Sequence, residues 1–173
     1  MNEEGRIAKN FYMLPVNISN LQANSPGRLP FNSHDGTLRF ALDFLVPETS
    51  SVFAAADGEV VYVKRDSNIG GPDRKFWNDG NRIVIRHTDG EYSAYEHLAF
   101  NGALVEVGDF VSQGQLIGYS GNTGCTLCPH LHFEVFVDPV ADESEGTTVR
   151  VVFVGFGEQR YGEPVTRLSL MGK

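Results

Sequence analysis

The stretch Pro129-His130-Leu131-His132-Phe133-Glu134-Val135 carries the clearest structural signal in this chain. Strand side chains alternate between the two faces of a sheet, so residues two positions apart share a face. His130 and His132 therefore lie on one face of a predicted strand, while Leu131 and Phe133 take the opposite face and can pack into a core. This pattern places two imidazoles side by side on an anchored strand, which suits a metal ligand beside a second functional group.

Patterns that favour β-structure extend over most of the chain from Phe40 onward. Apolar runs flank Ala56-Asp57-Gly58, and a second pair of runs flanks Thr88-Asp89-Gly90; both short segments are typical of hairpin turns. We find no segment with the period of an amphipathic helix. The prediction is a mostly β fold with antiparallel sheets, built as a small β-sandwich or barrel-like domain with long groove loops and little helix.

Three regions are expected along the chain. Residues 1–30 are irregular and contain Pro15 and Pro26, which disfavour a continuous helix, so we predict an N-terminal arm lying over the domain. Residues 31–139 hold the strand pattern and form the predicted core. Residues 140–173 are predicted to be a C-terminal β extension packed on that core.

Composition limits the functional classes. The chain has 173 residues, 41% hydrophobic and 11% aromatic, which is typical of a globular domain. Its net charge of -8 argues against a nucleic-acid partner, because phosphate binding normally needs a basic patch. No stretch reaches the length of a transmembrane segment, and the start Met1-Asn2-Glu3-Glu4-Gly5 does not look like a signal peptide. These features leave the compartment and the oligomeric state open.

Candidates for completing a zinc site lie upstream of the two histidines: His34, Asp43 and His97. A catalytic zinc ion needs three protein ligands and one open position, and it makes water a nucleophile near neutral pH. Each residue alone also has a structural explanation. His34 would be a loop histidine, Asp43 a surface or turn-bonding carboxylate, and His97, on the same strand face as Tyr95, a hydrogen-bonded sheet histidine.

Several segments resemble one known family when they are taken together. They are Ser33-His34, Arg39-Phe40-Ala41-Leu42-Asp43-Phe44, Tyr95-Glu96-His97-Leu98, Val107-Gly108-Asp109 with Gly114-Gln115-Leu116-Ile117-Gly118, and the Pro129-His130-Leu131-His132 run. In order and spacing they resemble the lysostaphin/LytM-type zinc metalloendopeptidases, which have the duplicated hybrid motif fold. The resemblance covers roughly residues 33–137.

The resemblance implies a zinc-dependent endopeptidase that cleaves cross-bridge or stem-peptide bonds of bacterial peptidoglycan with zinc-activated water. By position, His34, Asp43 and His132 look like the ligands of one Zn²⁺ ion, and His97 and His130 look like the catalytic histidines. It also implies peptidoglycan peptides as partners and a cell-envelope or secreted location. Eight residues separate His34 from Asp43, which is similar to a longer-spaced version of the family motif.

Two further features sit beside this expected site. The loop at residues 66–80 is long for a compact domain, and Phe76 and Trp77 within it are candidate substrate contacts, with simple loop anchoring as the alternative. Cys125 and Cys128 form a C-x-x-C pair. A local disulfide, two reduced thiols, and zinc ligation by Cys128 all remain open for this pair.

Two other functional classes remain as alternatives. A non-catalytic wall-binding or regulatory domain on the same fold would be expected if the spacing between His34 and Asp43 misplaced a ligand. A lipoyl- or biotinyl-type carrier, or a sugar phosphotransfer domain, shares the arrangement of residues 107–118. A carrier needs a lysine on an exposed turn, and Ala56-Asp57-Gly58 and Thr88-Asp89-Gly90 contain none.

Overall fold

Short strands dominate the computed structural model, which describes residues 5–22, 36–154 and 157–158. The strands are β1 (Leu42–Phe44), β2 (Ser51–Phe53), β3 (Gly58–Lys64), β4 (Gly70–Gly71), β5 (Arg82–Arg86), β6 (Tyr92–Glu96), β7 (Leu98–Ala103), β8 (Phe110–Val111), β9 (Leu116–Ser120), β10 (Gly124–Cys125), β11 (Leu131–Val137), β12 (Thr147–Val149), β13 (Val152–Phe153) and β14 (Gly157–Glu158). The described helical elements are short 3-10 helices at Ile18–Asn20, Gly36–Leu38, Arg74–Asp79 and Thr88–Gly90. The prediction of a mostly β fold with little helix is confirmed.

The larger sheet has the order β1-β11-β6-β5-β3-β8, and β12 also pairs with β11. All of its pairings are antiparallel. The hairpin predicted around Thr88-Asp89-Gly90 is confirmed, since β5 and β6 pair with Arg82 opposite Glu96 and Arg86 opposite Tyr92. Asp89 and Gly90 both have positive φ angles, 60° and 70°, which an aspartate tolerates better than most residues and a glycine adopts freely.

The smaller sheet corrects the other hairpin prediction. Its order is β2-β9-β7, so β2 pairs with β9 and not with β3. The segment Ala56-Asp57-Gly58 therefore does not close a hairpin. Ala54, Ala55 and Ala56 are all buried, because here the chain crosses from one sheet to the other instead of folding back on itself.

The main core lies between the two sheets. It contains Ile83 and Phe133 of the larger sheet and Val52 and Ile117 of the smaller one. Strand β12 lies beside β11, and Phe153 of β13 packs edge-on against Phe44 with ring centroids 6.1 Å apart. The described part of the C-terminal segment is thus in contact with this core.

The N-terminal arm contributes three side chains to this core. Tyr12, Leu14 and Val16 are buried within it. The carboxylate of Glu91 accepts hydrogen bonds from the Tyr12 hydroxyl at 3.1 Å and from the Asn10 amide nitrogens at 3.1 and 2.8 Å. Burial of apolar side chains and one buried carboxylate together hold the arm against the domain.

Strand β11 determines where the functional groups lie. All seven of its residues are buried, because it is flanked by β1, β6 and β12 and covered on both faces. Leu131, Phe133 and Val135 point into the main core. The alternate residues His132 and Glu134 face the other side of the sheet, as the period of two predicts.

Candidate active site

A single row of residues crosses five strands on the face opposite the main core. Lys64 of β3 lies opposite Arg82 of β5, which lies opposite Glu96 of β6. Glu96 lies opposite His132 of β11, which lies opposite Asp43 of β1. Directly opposed residues in adjacent strands share a face. The row therefore forms a continuous polar strip, and all five side chains line one cavity.

This cavity has a volume of about 400 Å³ and is bounded by two loops. The loop at residues 66–80 contributes Trp77, and the loop at residues 138–147 contributes Asp142 and Glu145. A concave site with convergent polar groups and an aromatic wall is the usual form of a peptide or small-molecule site.

The two aromatic candidates of the first loop have different surroundings. Trp77 lines the cavity and is 47% exposed, so it is available to a ligand. Phe76 does not line it. Its ring packs against the backbone of Gly71 and lies 4.9 Å from the ammonium of Lys75. The structure thus places Trp77, but not Phe76, at the cavity.

Asp43 and His132 form the most closely packed pair in the site. Asp43 Oδ1 lies 3.0 Å from His132 Nδ1, and the side chains are buried. This burial departs from the surface position that alternation with Phe40, Leu42 and Phe44 suggested for Asp43. All three residues of β1 are buried, although Asp43 also lines the cavity.

His130 lies near the same carboxylate oxygen of Asp43 as His132 does. Its Nε2 is 3.6 Å from Asp43 Oδ1, and its Nδ1 is 2.9 Å from the carbonyl oxygen of Cys128. A carbonyl oxygen only accepts, so Nδ1 carries the proton and donates to it. In the neutral ring, Nε2 then keeps its lone pair and faces the cavity. His130 is thus arranged to accept a proton there.

His97 reaches the cavity because its backbone leaves the strand conformation. Its φ angle is 60°, in the left-handed region, directly after Glu96 at the end of β6. Regular alternation would have placed His97 on the face of Tyr95, which points into the main core, but the backbone departs from alternation at this residue. The turn brings the His97 ring to 4.6 Å from that of His130 and 5.9 Å from that of His132, measured between centroids.

The proton of His97 is also positioned by a backbone carbonyl. Its Nδ1 lies 2.7 Å from the carbonyl oxygen of Thr123 and donates to it. Burial, reinforced by the neighbouring His130, lowers the pKa of His97 to about 3, so this imidazole is neutral at physiological pH. Burial alone would lower the pKa of His132 as well, but its bond to Asp43 and the nearby Glu134 hold it well above its usual value.

A buried ionic network lies behind His132. The guanidinium of Arg82 contacts Glu134 Oε1 at 3.0 Å, Glu96 Oε1 at 3.4 Å and Glu145 Oε1 at 3.8 Å. Burial raises the pKa of Glu96. The nearby charges of Arg82, His132 and His97 lower this pKa by more, so it lies below its usual value. The Arg82 guanidinium thus lies among three carboxylates, on the side of His132 away from Asp43.

The turn that carries the two cysteines supports His130. Thr126 Oγ1 lies 2.9 Å from the carbonyl oxygen of Cys128 and 3.0 Å from Asn122 Oδ1. Cys125 and Cys128 are free thiols, and burial raises the pKa of both. The disulfide stays a prediction.

Four of the predicted site residues come together: Asp43, His97, His130 and His132. The ligand atoms of the three histidines lie within 4.8 Å of one another and could hold a metal ion. His34, the third predicted zinc ligand, lies outside the described residues.

Sequence reasoning missed two charged residues of the strip, Lys64 and Arg82, and also Glu134, which contacts Arg82 from β11. One signal was present: a hairpin turning at Thr88-Asp89-Gly90 places Arg82 opposite Glu96 by counting alone. The pairing of β3 with β5, which adds Lys64, includes a register shift between Val60 and Tyr62 and gives no such signal.

Comparison with known proteins gives one consistent result. Residues 37–161 match the sequence profile described as Peptidase family M23. Over 104 residues the chain is 38% identical to the peptidoglycan DD-endopeptidase ShyA of Vibrio cholerae. This alignment covers 60% of this chain and 20% of that protein. The chain spans between 20% and 30% of the length of the curated relatives it matches.

Solved structures agree with the sequence comparison. A zinc-containing peptidase from Vibrio cholerae superimposes with a TM-score of 0.55 at 30% identity, covering 78% of this chain and 40% of that one. The catalytic domain of lysostaphin from Staphylococcus simulans gives a TM-score of 0.51 at 30% identity, covering 73% of this chain and 84% of that one.

Among the described residues, no helix has the length and apolar character needed to cross a membrane.

Proposed function

Because the chain belongs to peptidase family M23, we propose that it is a zinc-dependent endopeptidase that cleaves peptide bonds in bacterial peptidoglycan. The names of its relatives support the substrate class, since they include peptidoglycan DD-endopeptidases and lysostaphin. We extend the same proposal to location: a peptidase of this substrate class would act in the cell envelope or outside the cell.

The observation that carries the proposal is the convergence of one buried carboxylate and three imidazoles on a single cavity. Ligand atoms bound about 2.0 to 2.1 Å from a tetrahedral zinc ion lie roughly 3.3 Å apart. The separation of 3.0 Å between Asp43 Oδ1 and His132 Nδ1, the two described residues of the proposed ligand set, is close to this value. Carboxylate oxygen and imidazole nitrogen are also preferred zinc donors. The residues present therefore fit a zinc ion.

In the proposed assignment, Asp43 and His132 hold zinc together with His34, and His97 and His130 act on the substrate. When bound, zinc would polarise the scissile carbonyl and activate water for attack on it. His130 offers the Nε2 lone pair needed to accept a proton, because its Nδ1 is bonded to the Cys128 carbonyl. His97 is held in the same tautomer by Thr123. Once protonated, either ring can donate to the oxygen that gains charge or to the leaving amine.

A different ligand set has one observation in its favour. The ligand atoms of His97, His130 and His132 alone lie close enough to hold a metal. Two of these rings, however, already direct the proton of Nδ1 to a carbonyl and would bind through Nε2 only. We prefer Asp43 as a ligand because it supplies the negative charge that two neutral imidazoles lack.

The test measures both zinc and bond cleavage. The chain is loaded with one equivalent of Zn²⁺, incubated with purified peptidoglycan with and without a chelator, and assayed for new amino groups. Asp43→Asn should lose zinc and cleavage. Glu48→Gln, which removes a charge from an exposed residue outside the cavity, should keep both.

Each outcome has a defined meaning. Chelator-sensitive release of amino groups supports the proposal, and sequencing the new termini identifies the bond. Bound zinc without release from several wall types would refute the peptidoglycan substrate. Neither zinc nor release would refute the enzyme and leave the non-catalytic wall-binding domain as the better description.

A further inference from the structure

Glu134 lies directly behind His132 on the cavity face of β11. The two residues are two positions apart on one strand, and the Glu134 side chain is 1% exposed. A carboxylate is seldom buried to this extent without a charged partner, because desolvation is costly. One partner is Arg82, whose guanidinium contacts Glu134 Oε1 at 3.0 Å.

The second oxygen of Glu134 has a different neighbour. Oε2 lies 3.8 Å from His132 Nε2, and it has no hydrogen-bond partner within the described part of the chain. Leaving a buried acceptor unsatisfied destabilises a protein, so such an atom needs an explanation. The far side of the His132 ring presents a nitrogen to it, and the buried Nε of Arg82 also lacks a hydrogen-bond partner among the described residues.

The two nitrogens of His132 point in opposite directions. Nδ1 faces Asp43 Oδ1 at 3.0 Å, on the side of the cavity where His130 and His97 converge. Nε2 faces Glu134. A neutral imidazole that gives the lone pair of one nitrogen to a metal must carry its proton on the other, and that proton is usually bonded to a carboxylate or carbonyl. In the proposed site this places the proton on Nε2, facing Glu134 Oε2.

We propose that Glu134 is a positioning residue for His132: its Oε2 accepts the Nε2–H of the ring and so favours the tautomer that keeps the lone pair on Nδ1, the atom that would bind zinc. Arg82 anchors the other carboxylate oxygen and fixes the direction of the acceptor. This inference rests on the proposed function, because it assumes that His132 is a zinc ligand. The two atoms lie 3.8 Å apart in the metal-free chain, so the proposed hydrogen bond would require them to approach each other in the zinc-bound protein.

The competing explanation is that Glu134 serves only as a counter-ion for Arg82. Under that explanation its removal would destabilise the fold, but it would not alter the intrinsic affinity for zinc or the tautomer of His132. The two explanations therefore separate in measurements that do not depend on catalysis.

Glu134→Gln is the informative variant. An amide has one accepting atom and one donating group, whereas this position faces donors on both sides, Arg82 and His132. If the amide oxygen turns toward Arg82, the NH₂ group meets the Nε2–H; if it turns toward His132, the NH₂ group meets the guanidinium. The amide thus cannot satisfy both neighbours. Glu134→Asp keeps the charge for Arg82 but withdraws the carboxylate by one methylene, and it serves as the milder second variant.

Glu91→Gln is the matched control. Glu91 is also a fully buried carboxylate with several hydrogen bonds, but it holds the N-terminal arm and does not line the cavity. Zinc affinity is measured by competition with a chromophoric chelator, together with urea unfolding of the metal-free proteins. We expect a 10- to 100-fold weaker zinc affinity for Glu134→Gln, a smaller loss for Glu134→Asp, and no change for Glu91→Gln.

The tautomer is read from two-bond ¹⁵N–¹H correlation spectra of the histidine rings. In the zinc-loaded parent chain, His132 should show a protonated Nε2 and a metal-bound Nδ1, and its Nε2–H signal should move or broaden in Glu134→Gln. Unchanged zinc affinity and an unchanged His132 spectrum in both Glu134 variants would overturn the inference while leaving the proposed function intact. If the parent chain binds no zinc, the proposed function fails first, and the inference fails with it.

Discussion

Thr123 connects Asn81, which precedes β5, and Leu98, the first residue of β7, to His97, and replacing Thr123 with valine tests the part of its hydroxyl in this connection. Its Oγ1 accepts a hydrogen bond from the backbone N–H of Asn81 at 3.0 Å and donates to the carbonyl oxygen of Leu98 at 2.7 Å. Its own carbonyl accepts from His97. The side chain is 6% exposed, so water cannot replace these bonds easily. Thr123→Val keeps the shape of the side chain and replaces the hydroxyl with a methyl group, which can neither donate nor accept a hydrogen bond.

The structure sets the size of the effect. The Leu98 carbonyl keeps a second donor, Asn81 Nδ2 at 3.3 Å, so it is not left without a partner. The Asn81 N–H loses its acceptor, and one buried unsatisfied donor costs about 1 to 3 kcal/mol. In a chain of this size each 1 kcal/mol lowers Tm by about 2 to 4 °C. The expected loss of unfolding free energy for Thr123→Val is therefore about 1 to 3 kcal/mol.

The assay is urea unfolding of the metal-free protein followed by tryptophan fluorescence and circular dichroism, with Thr123→Ser as the matched control. Serine keeps the hydroxyl and loses one buried methyl group, which costs about 0.8 kcal/mol. Valine should therefore be less stable than serine. A valine variant within about 0.5 kcal/mol of the parent, or a serine variant that is the less stable of the two, would refute the assigned role of the hydroxyl.

Three further outcomes are expected. His130→Gln should retain zinc and lose roughly 10²- to 10⁴-fold in kcat, as measured by amino-group release and metal analysis; an unchanged rate would remove His130 from the proton-transfer role. Trp77→Ala should raise KM and change the unfolding free energy by less than about 0.5 kcal/mol, because Trp77 lines the cavity and is half exposed. Burial lowers the pKa of His87 below its usual value of 6.5, so the unfolded chain takes up a proton there before the native one does. Stability should accordingly fall as the pH drops below about 6.5, and His87→Gln should make urea midpoints at pH 7.5 and 5.5 differ less; an equal difference in both proteins would contradict this contribution.

Local pattern was sufficient for the central strand and for one hairpin. The period of two in residues 130–137 correctly placed His130 and His132 on one face and Leu131 and Phe133 on the other. The turn at Thr88-Asp89-Gly90 was readable because its residues accept positive φ angles. These features depend on residues that are close in the chain, so the sequence displays them directly.

Alternation failed where the backbone left its regular conformation. His97 shares sequence parity with Tyr95, yet its positive φ angle turns the ring into the cavity. Likewise, Ala56-Asp57-Gly58 has the composition of a hairpin turn, but β2 pairs with β9 in the other sheet. Neither outcome follows from local propensity, because each depends on how strands that are distant in the sequence pair in the folded protein.

The sequence by itself determined the strand content, the faces of β11 and, through the ordered motifs, the set of candidate residues His34, Asp43, His97, His130 and His132. Only the tertiary structure decided that Asp43 is buried against His132, that Arg82 and Glu134 stand behind that histidine, and that Thr123 holds His97. The physical reason is separation along the chain. Asp43 and His132 are 89 positions apart, and their contact exists only because β1 and β11 pair in one register, which side-chain period cannot specify.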